Sequence, residues 1–212
     1  MKIKVCGLKN PDNIQSVTGL EPDLVGFIFY KPSPRYVGDL QPEVLVNIPE
    51  HIIKTAVFVN EAAENVGNII DQYHFEAIQL HGSETPAFCE QFKGKVIVIK
   101  AFGLDEAFVF ERLDEFRGKV DFFLFDAKTP IHGGAGKTFD WTLLNNYKLD
   151  IPFFLSGGLS AENMEEIKHI THPQFYGVDL NSRFEISPGM KDINKLEKAF
   201  NIIKQTTDEI RG

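Results

Sequence analysis

The chain has 212 residues, 43% hydrophobic and 25% charged, with a formal net charge of -8, which is an ordinary soluble globular composition. It is longer than a typical single domain but suits one α/β barrel, and no stretch approaches the ~20 apolar residues of a membrane span. The acidic balance disfavours phosphate-backbone binding by counterion release; no nucleic acid or membrane partner is expected, while small anionic ligands stay open to backbone amides and local cations.

The opening "MKIKVCG" carries no apolar leader and no small-residue cleavage site, which predicts a cytoplasmic location. It also contains the first of eight short β-branched or aromatic runs: "IKVC", "LVGFIF", "KTAVFV", "EAIQL", "VIVIKA", "DFFLFD", "IPFFLS" and "FYGVDL". They begin near residues 3, 24, 53, 76, 96, 120, 152 and 174, a spacing that fits strand, loop and short helix in each repeat. The intervals carry single apolar stripes at helical offsets: Val66, Ile69, Ile70 and Tyr73; Val109, Leu113 and Phe116; Ile193, Leu196, Phe200 and Ile203. Runs such as "DFFLF" are apolar at every position, as strands buried on both faces are. Parallel strands alternating with helices leave an open doubly wound sheet or a closed barrel. Eight regular units and no GxGxxG after the first strand favour an α/β fold of the (β/α)8 TIM-barrel type, a single domain over residues 1–212. The longest irregular stretch, residues 127 to 139, is glycine-rich and reads as a ligand loop or lid.

In such a barrel the reactive groups gather where strands end. In chain order those ends offer Cys6, Arg35, Asn60, Gln79 with His81, Lys100, Asp126, Gly157 with Gly158, and Asp179, Asn181, Ser182 and Arg183. "LSGGLSAEN" places two glycines before a helix with Ser160 as its expected N-cap and Glu162 and Asn163 in the first turn, an arrangement suited to a phosphate. "NSRFEISPG" adds a second short helix start; a simple turn is the alternative for either loop. Asp126 closes an apolar run, so desolvation is expected to raise its pKa and make it a general acid, unless it caps a loop or pairs with Lys128 or Lys137. Cys6 sits before a glycine turn with Lys4 on the same strand face, and that cation is expected to lower the thiol pKa. The commoner fate of a lone cysteine is burial as a small hydrophobe, which suits Cys89 beside Phe88 and Phe92. Arg35, stiffened by Pro32 and Pro34, offers a fork for a carboxylate or stands exposed on a surface loop. His81 is a candidate substrate contact or acid/base group, or a histidine tied into its own turn. Two cysteines without CxxC or Cys/His spacing predict no metal site and no disulfide framework.

Taken in order, "KVCGLKN", "GFIFYKPSPRYV", "VFVN", "IQLHG", "FDAKTPIHGGAGKTFDW", "LSGGLSAEN" and "GVDLNSRFEISPGMKD" resemble the phosphoribosylanthranilate isomerase family of tryptophan biosynthesis, from Lys4 to Asp192. The resemblance implies a cofactor-free barrel that performs an Amadori rearrangement on a phosphosugar, with Cys6 as general base and Asp126 as general acid. It also implies Arg35 near the anthranilate ring and Gly157 and Gly158 at the phosphate. Two loops depart from the pattern: Asn181 and Arg183 stand where serine and glycine are usual in "VDVSSGVE", and Ala135 replaces a hydroxyl in "GGTGK". Related phosphosugar barrels with a carboxylate base and two phosphate sites fit less well, since only the second half carries a GG loop. A barrel that binds without turnover would have no need to keep both Cys6 and Asp126. A monomer and a homodimer are both compatible with the sequence.

Overall fold

The structure, a computed structural model, describes residues 1–38, 40–127 and 141–211. Most of the expected 127 to 139 loop, with Lys128, Ala135 and Lys137, lies outside them. All eight expected strands form: β1 (Lys2–Cys6), β2 (Leu24–Ile28), β3 (Ile53–Phe58), β4 (Ala77–Leu80), β5 (Ile97–Leu104), β6 (Phe122–Ala127), β7 (Phe153–Ser156) and β8 (Phe175–Leu180). They pair in parallel and in chain order, and β1 pairs with β8 to close the barrel. Alternation along each strand divides the apolar residues into two cores. One fills the barrel with Leu24, Ile99, Ala101, Leu124 and Phe154; the larger one lies between strands and outer helices.

The first half is covered by helices α1 (Pro11–Thr18), α2 (Pro42–Val46), α3 (Ala63–Tyr73) and α4 (Pro86–Glu90). Proline opens three of them, at the position whose N–H has no helical partner. Asn10 and Thr85 cap α1 and α4 by accepting from the backbone N–H of Asn13 and Phe88. The second half uses 3₁₀ segments, Phe110–Phe116, Trp141–Asn146, Met164–His169 and Ser182–Phe184, before the long α5 (Ile193–Arg211). The stripe Val109, Leu113, Phe116 is therefore corrected: with three residues per turn, Phe110, Leu113 and Phe116 share the inner face and Val109 is 58% exposed. Edge-to-face rings of Phe102, Phe116, Phe123, Phe125, Tyr147 and Phe153 cover that side.

Candidate active site

Lys4 and Cys6, two residues apart on β1, face the barrel interior together. Lys4 is in register with Asp179 of β8, and its Nζ lies 2.9 Å from Asp179 Oδ2 with both side chains buried. Cys6 is in register with Gly26 of β2. A Cβ at Gly26 would come within 2.7 Å of Cys6 Sγ and 3.2 Å of Lys4 Nζ, so only glycine leaves room for thiol and ammonium side by side. Gly7, at φ +78°, turns the chain back so that its N–H donates to Gly26 O at 2.9 Å. Its open face is where Arg35 Cδ and Asn181 Oδ1 approach, each 2.8 Å from the position a Cβ would take.

Burial pushes the Cys6 thiol up, Lys4 pulls it down, Asp179 adds to the rise and Lys191 opposes it; the net direction is upward. The expectation that Lys4 brings the thiol below its ordinary value is thus corrected. The cation is where β-strand periodicity puts it, but desolvation and the neighbouring carboxylate outweigh it. For Lys4 itself burial acts downward, yet Asp179 and Cys6 outweigh burial and hold the ammonium charged. Burial raises Asp179 against the pull of Lys4, and its Oδ1 is buried without a hydrogen-bond partner among the described residues.

Above this floor opens a cavity of about 220 Å³. Cys6, His81, Asp126 and Asp179 line it together with Gly157, Gly158, Asn181 and Ser182. Asp126 does not sit in the apolar setting expected for it: its side chain is 37% exposed and lies 3.3 Å from His81 Nε2. The reason is that Asp126 is the last inward residue before β6 runs out, above the apolar layer rather than within it. The Gln79 side-chain amide lies 2.9 Å from His81 Nδ1 and fixes the ring so that Nε2 faces Asp126.

Gly157 and Gly158 both hold positive φ, +80° and +67°, which side chains other than glycine rarely adopt. Ser160 is not the N-cap expected of it: the following helix is a 3₁₀ segment beginning at Met164, with Asn163 ahead of it. Asn163 instead ties the loop from behind, donating to Gly158 O and accepting from Ser160 N, both at 2.8 Å. Ser182 and Arg183 lie in a three-residue 3₁₀ turn after Asn181, and Arg183 is exposed. Arg35 and Arg183 are not among the cavity-lining residues. The Arg35 fork grips Glu185, with Nε at 2.9 Å from Oε1 and Nη2 at 2.6 Å from Oε2.

Lys100 and Asn60 lie apart from the cavity, and Lys100 is not at a strand end as expected but in the middle of β5, which runs on to Leu104. Lys100 points outward from β5 and pairs with Glu84 at 3.2 Å, while Asn60 Oδ1 accepts from Ser83 N at 2.7 Å. Sequence reasoning passed over Gly26, Glu185 and Lys191. Gly26 was readable as a glycine inside a strand run, as Gly177 is, whereas Glu185 and Lys191 look like surface charges in "FEISPGMKD" until the fold buries them. Among the described residues no His, Cys, Asp or Glu cluster could hold a metal, and no helix is long and apolar enough to cross a membrane.

Residues 3–202 match a family model described as N-(5'-phosphoribosyl)anthranilate (PRA) isomerase. A protein of that name from Parabacteroides distasonis is 43% identical over 208 residues, covering 97% of this chain and 93% of the relative. The crystal structure of phosphoribosyl anthranilate isomerase from Thermotoga maritima superposes with a TM-score of 0.82 at 32% identity, covering 97% and 99% of the two chains. Another solved phosphoribosyl anthranilate isomerase, in complex with reduced 1-(o-carboxyphenylamino)-1-deoxyribulose 5-phosphate, is similar at TM-score 0.80 and 29% identity, with 97% and 99% covered.

Proposed function

The chain belongs to the N-(5'-phosphoribosyl)anthranilate isomerase family, enzymes of tryptophan biosynthesis, and from that premise we propose that Cys6 and Asp126 carry out its Amadori rearrangement. The observation that carries the assignment is that these two residues, from β1 and β6, line one cavity together with the paired glycines of the β7 loop.

In this reading the substrate phosphate lies at Gly157 and Gly158, with Asn181 and Ser182 beside it and the Arg183 cation at the mouth. Asp126 gives a proton to the ribose ring oxygen as the C1'–O bond breaks and the anilino nitrogen forms the iminium. His81, 3.3 Å away, orients that carboxyl. The Cys6 thiolate then takes the C2' proton, and the resulting enolamine tautomerises to the ketone, so that atoms and charge balance across an isomerisation. Each proton transfer is worth roughly 10²- to 10⁴-fold. A raised thiol pKa lowers the thiolate population about tenfold per unit, but the thiolate that forms is a stronger base, which offsets part of that loss. The unpartnered Oδ1 of Asp179 supports a hydrogen bond from a substrate hydroxyl. Arg35 takes the anthranilate carboxylate, no metal or organic cofactor is required, and the biosynthetic role supports a cytoplasmic location.

The test is fluorescence. Phosphoribosylanthranilate generated enzymatically is expected to lose its anthranilate emission on addition of the protein, in proportion to enzyme. Decay no faster than the spontaneous background would remove the enzymatic reading.

A further inference from the structure

We propose that Lys191 is a positioning residue that holds both ends of the substrate site at once: Asn181 directly, and Arg35 through Glu185. The proposal rests on the reading of Arg35 as the partner of the substrate's aryl carboxylate.

The Lys191 side chain is fully buried beneath the β8 loop. Its Nζ donates to Asn181 Oδ1 at 2.8 Å and to Glu185 Oε1 at 2.8 Å. Asn181 belongs to the cavity wall. Glu185, with a side chain 4% exposed, also accepts from Arg35 Nε and Nη2 and from the Gly189 N–H. A buried carboxylate so paired is a rigid clamp, and it engages only the Nε–Nη2 edge of the guanidinium. The Nη1 side stays out of that pair, and the planar fork can bind a second carboxylate there. The clamp is itself fixed. Asn13 of α1 accepts from the Lys191 N–H at 2.7 Å and donates to its carbonyl at 2.9 Å, locking the backbone of a two-strand hairpin (Glu185–Ser187 with Met190–Lys191) against α1.

Nothing in this arrangement resembles ordinary surface pairing. A lysine ammonium buried only to close a hairpin would be matched by Glu185 alone. Here it also reaches a cavity-wall amide, and the same Glu185 sets the angle of an arginine whose Cδ packs over Gly7, next to Cys6. The ammonium lies near enough to Cys6 to pull its thiol down against burial, so the clamp abuts the reacting end of the site.

The experiment compares calorimetric binding of two ligands: reduced 1-(o-carboxyphenylamino)-1-deoxyribulose 5-phosphate and the same compound lacking the ring carboxylate. The wild type is expected to favour the carboxylated ligand by about tenfold or more, the worth of a charge-assisted pair. In Lys191→Met that preference falls to about threefold or less while both ligands weaken. A merely structural role would lower the melting temperature and leave the preference intact, and that result overturns the proposal. Should Lys191→Met fail to fold, Glu185→Gln serves, because it removes the shared charge and turns one of the two acceptors that join Lys191 and Arg35 into a donor, and the same loss of preference is expected. No preference in the wild type would instead count against Arg35 as carboxylate partner and take the proposal with it. Binding is read without turnover, so an inactive wild type that still discriminates counts against the reaction alone.

Discussion

Two buried lysine–carboxylate pairs stand near the same end of the barrel, each beside a buried cysteine, and they differ in what is left over. Lys100 and Glu84, beside Cys89, are complete: the ammonium donates to the carbonyls of Leu80, Gly82 and Ala101, and the carboxylate accepts from the N–H groups of Asn60 and Gly82. Lys4 and Asp179, beside Cys6, are incomplete, since Asp179 Oδ1 has no partner among the described residues and the carboxylate borders the cavity. A buried polar group that is fully satisfied stiffens a fold, whereas one left open awaits a ligand or a reaction. Composition treats the two cysteines alike; the neighbours decide which is chemical.

Four measurements can break that contrast. The largest effect belongs to the proposed acid and base. Cys6→Ser and Asp126→Asn are each expected to lower kcat by about 10²-fold or more with melting temperature nearly kept, while Cys89→Ser leaves kcat unchanged. Steady-state kinetics on all three decides, and a Cys6→Ser enzyme of normal turnover would sink the base assignment.

Next comes the pair that is complete. Lys100→Met strands Glu84 in the interior and is expected to cost about 3–5 kcal/mol in urea unfolding, with kcat of the folded fraction intact. Loss of turnover without loss of stability would reverse the roles assigned to the two pairs. Gly26→Ala should cost less, roughly 1–3 kcal/mol, because its methyl would meet the Cys6 sulfur and force it aside. Its signature is a fall in kcat larger than any rise in KM.

The smallest effect is a displacement along the pH axis. Burial holds the Cys6 thiol above the ordinary value and pushes Cys89 up to about 11, so protonated forms persist past the usual thiol range. Alkylation of Cys6 by iodoacetamide is therefore expected to rise with a midpoint above that of a free cysteine. Because Lys4 acts downward on Cys6, Lys4→Met should move that midpoint higher still and leave Cys89 in place. Mass spectrometry of each labelled peptide separates the two sites.

Much of this site was readable one strand at a time. Cys6, Asp126 and the Gly157–Gly158 pair each end an apolar run, and the barrel rule brings such ends to one face. What could not be read was the balance of forces at each of them. The rise at Cys6 comes first from burial, and Asp179, which adds to it, is 173 residues away in the chain and adjacent only through closure of β1 on β8. The exposure of Asp126 depends on where β6 stops relative to its neighbours. The helix after β7 disagreed with its cap signal because Asn163 took the loop's polar groups before Ser160 could.

Short β-branched and aromatic runs alternating with apolar stripes at helical offsets determined, from the chain alone, that eight strand and helix units would alternate, because each element must bury one face or both. The tertiary structure decided the rest. Barrel closure set Lys4 against Asp179, and the packing of the β8 loop on α1 buried Lys191 and Glu185. Long-range contacts turned "FEISPGMKD" from apparent surface charge into a clamp on Arg35, because a charge's role is set by the partners and the dielectric around it, which local sequence does not contain.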